Sequence, residues 1–296
     1  MKTVLISGAT GLIGTHLIEK LKQKNYEIRI LSRKKNKNYF DWNLNEKQID
    51  ETAFENLDAI VHLAGATISK RWTKSYKKEL YKSRVKTAEL LFEYAKKSNS
   101  HIKTFITASG VNYYGTQTSS HIFTENDKHS NDFLGNLCLD LENTARKFEE
   151  MGARVSMVRT AAVLSTKGGM LKELMPLTKW NLLSPFGFGK QILPWIHIDD
   201  LTNIYVEILE NEKLNGAYNA SAPEIITQKE FAQKLTKTMD KKIILPNVPS
   251  FVLKIILGEM SSILLEGSAI SCDKIEKTGF DFKFKNLDSA LSNLIL

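Results

Sequence analysis

An α/β fold, a doubly wound parallel sheet with a small C-terminal α/β lobe, follows from three features of this 296-residue sequence. The chain opens on an apolar run, Thr3-Val4-Leu5-Ile6, that gives way at Ser7-Gly8 to a turn and then a helical pattern. Further short apolar runs recur up to residue 164, with helix-length periodic stretches among them, the rhythm of strand–helix–strand units. From Ser165 onward the rhythm changes to glycine- and proline-marked loops around short elements. Residues 1–220 are therefore expected to form the sheet domain and 221–296 the lobe, with 165–195 contributing to the lobe.

The first run has the composition of a strand buried on both faces. Gly8, Gly11 and Gly14 follow at spacings of three, and Leu17, Ile18 and Leu21 then share one side of a helix. Strand, glycine turn and helix N-terminus together suit a dinucleotide pyrophosphate. Backbone N–H groups face the phosphates, and the missing Cβ atoms allow close approach. Gly8, Thr10, Gly11, Leu12, Ile13 and Gly14 are the expected contacts. The G-x-x-G-x-x-G spacing departs from G-x-G-x-x-G, and a plain strand–turn–helix with glycines serving only the turn is the alternative.

A second strand, 27–31, ends at Ser32-Arg33, with Lys34 and Lys35 behind. An Asp or Glu here, roughly twenty residues past the glycines, would bind the ribose 2′-hydroxyl of NAD. A carboxylate repels a 2′-phosphate, whereas Arg pairs with it in bidentate fashion. Ser32 and Arg33 thus favour NADP(H), a solvated basic turn being the other reading. Residues 39–42 form a third strand. A fourth, 58–65, leaves through Leu63-Ala64-Gly65, small enough at its end for an adenosine to lie against it. A long helix over 72–98 carries Glu79 and Arg84, either a solvated pair or, for Arg84, a reach back to cofactor phosphate.

Residues 104–109 form the fifth strand, followed by Gly110-Val111-Asn112-Tyr113-Tyr114-Gly115 and a polar loop over 116–132 long enough to be functional. A helix over 133–150 stops at Gly152, and a sixth strand over 154–158 runs on to Leu164. Beyond it, Trp195-Ile196-His197-Ile198-Asp199-Asp200 leads into a helix, 217–220 is a short strand, and Thr227 with Glu230 has capping-box spacing.

The net charge of +8 comes from scattered lysines, not from the compact patch that nucleic-acid binding needs. Cys138 and Cys272 lack metal-ligand spacing and suit a reducing cytoplasm as small core residues. The apolar run 251–265 is interrupted by Lys254 and Glu259, too short for the roughly twenty residues of a membrane span. The expectations are a cytoplasmic monomer or homodimer with no metal, no nucleic acid, no membrane and an unknown small-molecule substrate.

Gly8/Gly11/Gly14, His62-Leu63-Ala64-Gly65, Tyr114-Gly115, Arg159 and residues 195–200 together resemble the extended short-chain dehydrogenase/reductase superfamily. Arg71-Trp72-Thr73, Ser83-Arg84-Val85, Phe133-Leu134 before Cys138 and Leu257-Gly258-Glu259-Met260 are similar to its atypical, YfcH-like "epimerase family protein" branch. The resemblance implies a Rossmann-type domain binding NADP(H) and a C-terminal substrate lobe. In typical members a Tyr-x-x-x-Lys pair opens the helix after the fifth strand, the Tyr exchanging a proton with substrate. Here that helix starts Phe133-Leu134-Gly135-Asn136-Leu137, and the pair is missing.

Ser109, at the superfamily's helper-Ser position, and Tyr113 and Tyr114, at the same strand end, are the candidate catalytic residues. Their structural readings are a strand-end turn and pocket shaping. His197 could act as acid or base near neutral pH, but its motif matches a structural element and favours a buried structural histidine. Lys70-Arg71 reads as either an anion-binding pair or a solvated loop. The expectation is an NADP(H)-dependent oxidoreductase or epimerase-like enzyme with an atypical site. The rival is a sensor or regulatory protein that binds NADP(H) without turnover.

Overall fold

Val4 and Ile6 of β1 (Thr3–Ser7) point into one hydrophobic core and Leu5 into another, so the strand is buried on both faces. The computed structural model describes residues 2–33, 36–98 and 100–296; Lys34 and Lys35, expected behind Arg33, lie outside them. Among the described residues β1 is joined by β2 (Glu27–Ser32), β3 (Phe40–Asn43), β4 (Gln48–Ile49), β5 (Ala59–His62), β6 (Thr104–Gly110), β7 (Arg154–Thr160), β8 (Ala162–Leu164), β9 (Trp195–His197) and β10 (Gly216–Ala220). The main sheet runs β10-β7-β6-β5-β1-β2-β3-β4, parallel throughout except for the antiparallel β3–β4 pair. Its strand order reverses between β1 and β5, the point where open α/β sheets bind ligands.

Helix α1 (Leu12–Gln23) packs against the sheet through Leu17 and Leu21, both fully buried, each contributing roughly 1.5–3 kcal/mol. The expected helix over 72–98 is three segments. They are α2 (Lys74–Tyr81), a π-helical turn at Lys82–Lys86 and α3 (Thr87–Lys97). Helix α4 (Phe133–Arg146) passes into a 3-10 turn that ends at Gly152 in the left-handed conformation. The sixth expected strand splits. Ala161 breaks it, and β8 leaves the main sheet to pair with β9. The short β4 was not read from the sequence.

Helix α5 (Gly169–Lys179) and α7 (Gln228–Thr238), whose Thr227–Glu230 capping box forms in full, share the lobe core with α11 (Leu287–Ile295). Helix α6 (Ile198–Glu210) instead packs on α1 and the sheet. Three further helices are α8 (Ser250–Leu257), α9 (Ser262–Leu265) and α10 (Asp273–Glu276). The chain after 221 does not stay in the lobe, because Cys272, Ile275 and Phe282 join the sheet's core. The lobe's strand pair, β8–β9, comes from residues before 221. Cys138 is half-buried and Cys272 buried. Among the described residues no helix is long and apolar enough to cross a membrane.

The 195–200 motif is a structural joint. His197 caps α6, its Nδ1 accepting the Asp199 N–H at 3.0 Å, and its ring stacks on Phe284. Burial lowers its pKa to about 4. The buried Asp200 carboxylate accepts the Lys283 and Phe284 N–H groups, each at 2.9 Å, tying the C-terminal segment to α6.

Candidate cofactor and substrate site

A cavity of about 1210 Å³ lies at the carboxyl ends of β1, β2 and β5, at the strand-order reversal. Gly8, Thr10, Gly11, Ser32, Arg33, Leu63, Ala64, Gly65 and Glu79, all expected at the cofactor, line it. Residues 41–46 and 48–51 form a further part of its wall; residues 43–51 have no place in the sequence reading, since a short antiparallel strand after β3 leaves no periodic signal. Gly11 is the N-cap of α1, with no side-chain cap and no acidic residue in the first turn. This helix N-terminus therefore presents N–H groups to an anion.

The glycines divide by role. Gly8 has φ +74°, and a Cβ there would sit 2.6 Å from the Leu63 carbonyl carbon, so β1 and the β5 exit approach closely only through glycine. A Cβ on Gly14 would meet the Gly8 carbonyl oxygen at 2.6 Å. Gly14 thus serves helix-to-strand packing and, unlike Gly8 and Gly11, does not line the cavity. Leu12 and Ile13 are likewise corrected. Neither lines the cavity: the Leu12 side chain lies against Gly168, and Ile13 packs on the sheet core.

Arg84 is the clearest correction. It does not line the cavity, and no ion pair with Glu79 forms among the described residues. Its Nη2 donates to the Ala66 carbonyl at 2.9 Å, while the Ser83 hydroxyl accepts the Ala66 N–H at 2.9 Å. Two adjacent side chains on the π-helical turn thus hold both backbone groups of the residue after Gly65. His62 supports that turn. Its Nε2 bonds the Arg84 carbonyl at 3.1 Å and its Nδ1 meets the Ser7 hydroxyl at 2.7 Å. A carbonyl only accepts, so the proton sits on Nε2 and Ser7 donates to Nδ1. Burial lowers the His62 pKa to about 4, keeping the ring neutral. Ser83 and His62 were missed as supports because a π turn has no sequence signature.

Beyond the β6 end lies a buried polar network. The Ser109 hydroxyl donates to Glu142 at 2.7 Å, and Arg159 grips the same carboxylate with Nε at 2.9 Å and Nη2 at 2.8 Å. Arg159 also donates to the Tyr114 hydroxyl at 2.9 Å, which in turn donates to Asn219 at 2.7 Å. Tyr114 is 2 % exposed, and burial pushes its pKa up to about 12. Ser109 and Tyr114, expected to face the nicotinamide end, instead have their hydroxyls committed within the protein. Tyr113 is half-buried with its ring 3.4 Å from the Arg159 guanidinium carbon. No hydrogen bond forms to its hydroxyl among the described residues.

A second cavity, about 790 Å³, lies between the sheet domain and the C-terminal segment, lined by Trp72, Asp132, Phe133, Leu134, Lys254 and Leu265 among others. Trp72 and Phe133 meet edge-to-face with centroids 5.6 Å apart. Leu137 is buried with Leu80 and Val85 and stays away from this cavity. Lys70 lies over the Tyr76 ring, and Arg71 reaches Gly258 of the C-terminal segment.

Residues 4–221 match the model of the NAD dependent epimerase/dehydratase family, and 248–294 match a domain of unknown function. The chain is 33% identical over 304 residues to an epimerase family protein of Staphylococcus aureus, spanning 100% of this chain and 99% of that one. It is 33% identical over 299 residues to a chloroplastic epimerase family protein of Arabidopsis thaliana, spanning 98% of this chain and 85% of that one. The crystal structure of a human epimerase family protein with NADPH superposes with TM-score 0.89 at 32% identity, covering 99% of this chain and 98% of that one. The chain therefore belongs to the NAD dependent epimerase/dehydratase family, with an extended short-chain dehydrogenase/reductase fold.

Proposed function

We propose that this protein binds NADP(H) in the larger cavity and acts as an oxidoreductase or epimerase-like enzyme on a small molecule held in the second cavity. The observation that carries the reading is one cavity uniting an uncapped helix N-terminus at Gly11 with Ser32 and Arg33 at the end of β2. The first suits a pyrophosphate, and the second a 2′-phosphate. The human relative's structure with NADPH supports the same choice.

When bound, the nicotinamide supplies hydride transfer. The protein's own residues supply position and dryness. Ser83 and Arg84 hold the Ala66 backbone, His62 braces their turn, and Trp72 and Phe133 form an apolar wall where substrate would rest. With no Tyr-x-x-x-Lys pair, Tyr113 is the remaining side-chain candidate for proton exchange.

The commitment of Ser109 and Tyr114 to buried partners favours a second reading, NADP(H) held as a sensor or regulatory ligand without turnover. Incubating the protein with NADPH and a panel of carbonyl compounds separates the two. Oxidation of the cofactor that Tyr113→Phe slows supports the enzyme. Tight binding with no oxidation by any carbonyl supports the sensor.

A further inference from the structure

Of twelve large apolar side chains exposed among the described residues, nine fall in two short stretches, 177–188 and 244–256. Trp180, Phe188, Ile244, Phe251, Ile255 and Ile256 are each at least 61% exposed. The stretches lie side by side, with Lys242 N–H donating to Asn181 at 3.0 Å, Gly187 N–H to the Val248 carbonyl at 2.8 Å and Val248 N–H to Pro185 at 2.9 Å. Helix α8 follows directly. It has six apolar residues, one lysine and no acid, and turns only Leu253 fully inward. A helix apolar all round is normally buried, yet this one lies at the surface.

The charge on this face is mainly positive. Residues 177–190 and 241–257 contain Lys179, Lys190, Lys241, Lys242 and Lys254 and no Asp or Glu, with the exposed Asp240 and Glu259 at their edges. The polar uncharged side chains are bonded within the two stretches. Asn181 accepts from the Lys242 N–H, the buried Ser184 donates to Pro246 at 2.5 Å, and the exposed Asn247 amide donates to Gly187 at 3.0 Å. Most of what faces solvent is hydrocarbon and ammonium.

We propose that this face docks the protein on an anionic lipid bilayer. Trp180, Phe188 and the outer side of α8 enter the headgroup region, and the lysines meet anionic headgroups while their stems lie along the apolar boundary. The contact is peripheral, since eight residues of helix cannot span a bilayer. A second copy of the chain fits poorly, because a two-fold contact would set five lysines against five. A partner protein would find few of the directional hydrogen-bonding groups that such interfaces use, whereas a fluid bilayer requires none. Lys254 also lines the second cavity, so the docked face adjoins the space assigned to substrate.

The test is flotation of the full chain with phosphatidylcholine vesicles and with vesicles that also contain phosphatidylglycerol. Binding to the anionic vesicles should exceed binding to the neutral ones by about tenfold or more and weaken with salt. The double variant Phe251→Ser, Ile255→Ser should reduce vesicle binding about tenfold or more, with unchanged NADPH affinity and circular dichroism showing that it is folded. Absence of vesicle binding, or binding indifferent to the double variant, would overturn the proposal. So would a concentration-dependent dimer, or a complex with an acidic protein, that the double variant abolishes while vesicles fail to bind.

Discussion

His62 donates from Nε2 to the carbonyl of Arg84 at 3.1 Å, across the gap between a sheet strand and a π-helical turn. A π turn leaves helix carbonyls outside the usual ladder, and on this one the neutral imidazole joins the Thr87 hydroxyl, which donates at 2.8 Å. With the carbonyl held, the Arg84 and Ser83 side chains reach Ala66 and fix the wall of the larger cavity. Arg84→Met is therefore expected to weaken NADPH binding about tenfold while leaving the fold intact. Titration calorimetry measures the loss. Unchanged affinity would mean that the β5 exit keeps its shape without the clamp.

The two buried histidines give the protein an acid-sensitive stability. His62 and His197 both have folded pKa values lowered to about 4 from 6.5. Above about pH 6.5 both are neutral in folded and unfolded chains, and their contribution is fully present. As pH falls toward 4, the unfolded chain takes up protons that the folded chain refuses, so stability drops. The loss is about 3 kcal/mol for each residue. Urea denaturation at a series of pH values should show this decline, and His62→Asn should remove about half of it.

Gly8→Ala combines a backbone at φ +74° with a Cβ only 2.6 Å from the Leu63 carbonyl carbon. The nearest atoms, the Leu63 carbonyl and the Ala64 nitrogen, are all backbone, so the strands must part. A loss of about 3 kcal/mol is expected in denaturant unfolding, together with loss of cofactor binding. Stability equal to the parent protein would mean that β1 and the β5 exit tolerate separation.

Tyr114→Phe removes a hydroxyl that donates to Asn219 and accepts from Arg159 in the core. The expected effect is a stability loss of about 1–3 kcal/mol, with NADPH affinity and any turnover retained. A variant that is as stable as the parent but inactive would return Tyr114 to a catalytic role.

The parts of this structure that repeat were legible in the sequence. The central strands read as apolar runs because each is buried on both faces, and the glycine turn read as an anion site because helix and strand meet there. The capping box at Thr227 was equally visible, being a local pattern. What escaped was set by long-range packing. Arg84 has a charged side chain at helical spacing, which the sequence cannot distinguish from a phosphate ligand, and only the π turn directs it to Ala66. Ser109 and Tyr114 stand at the expected strand end, but Glu142, Arg159 and Asn219, far apart in the chain, claim their hydroxyls. The break at Ala161 has no local cause either, since β8 leaves the sheet to pair with β9, which starts at Trp195.

The proposed function has Arg33 read the cofactor's 2′-phosphate. Titration calorimetry of NADPH and NADH, on the parent protein and on Arg33→Asp, decides this. NADPH is expected to bind the parent at least about tenfold more tightly than NADH, and Arg33→Asp to abolish or reverse that preference. Equal binding of the two cofactors by the parent, or a preference that survives Arg33→Asp, would contradict it.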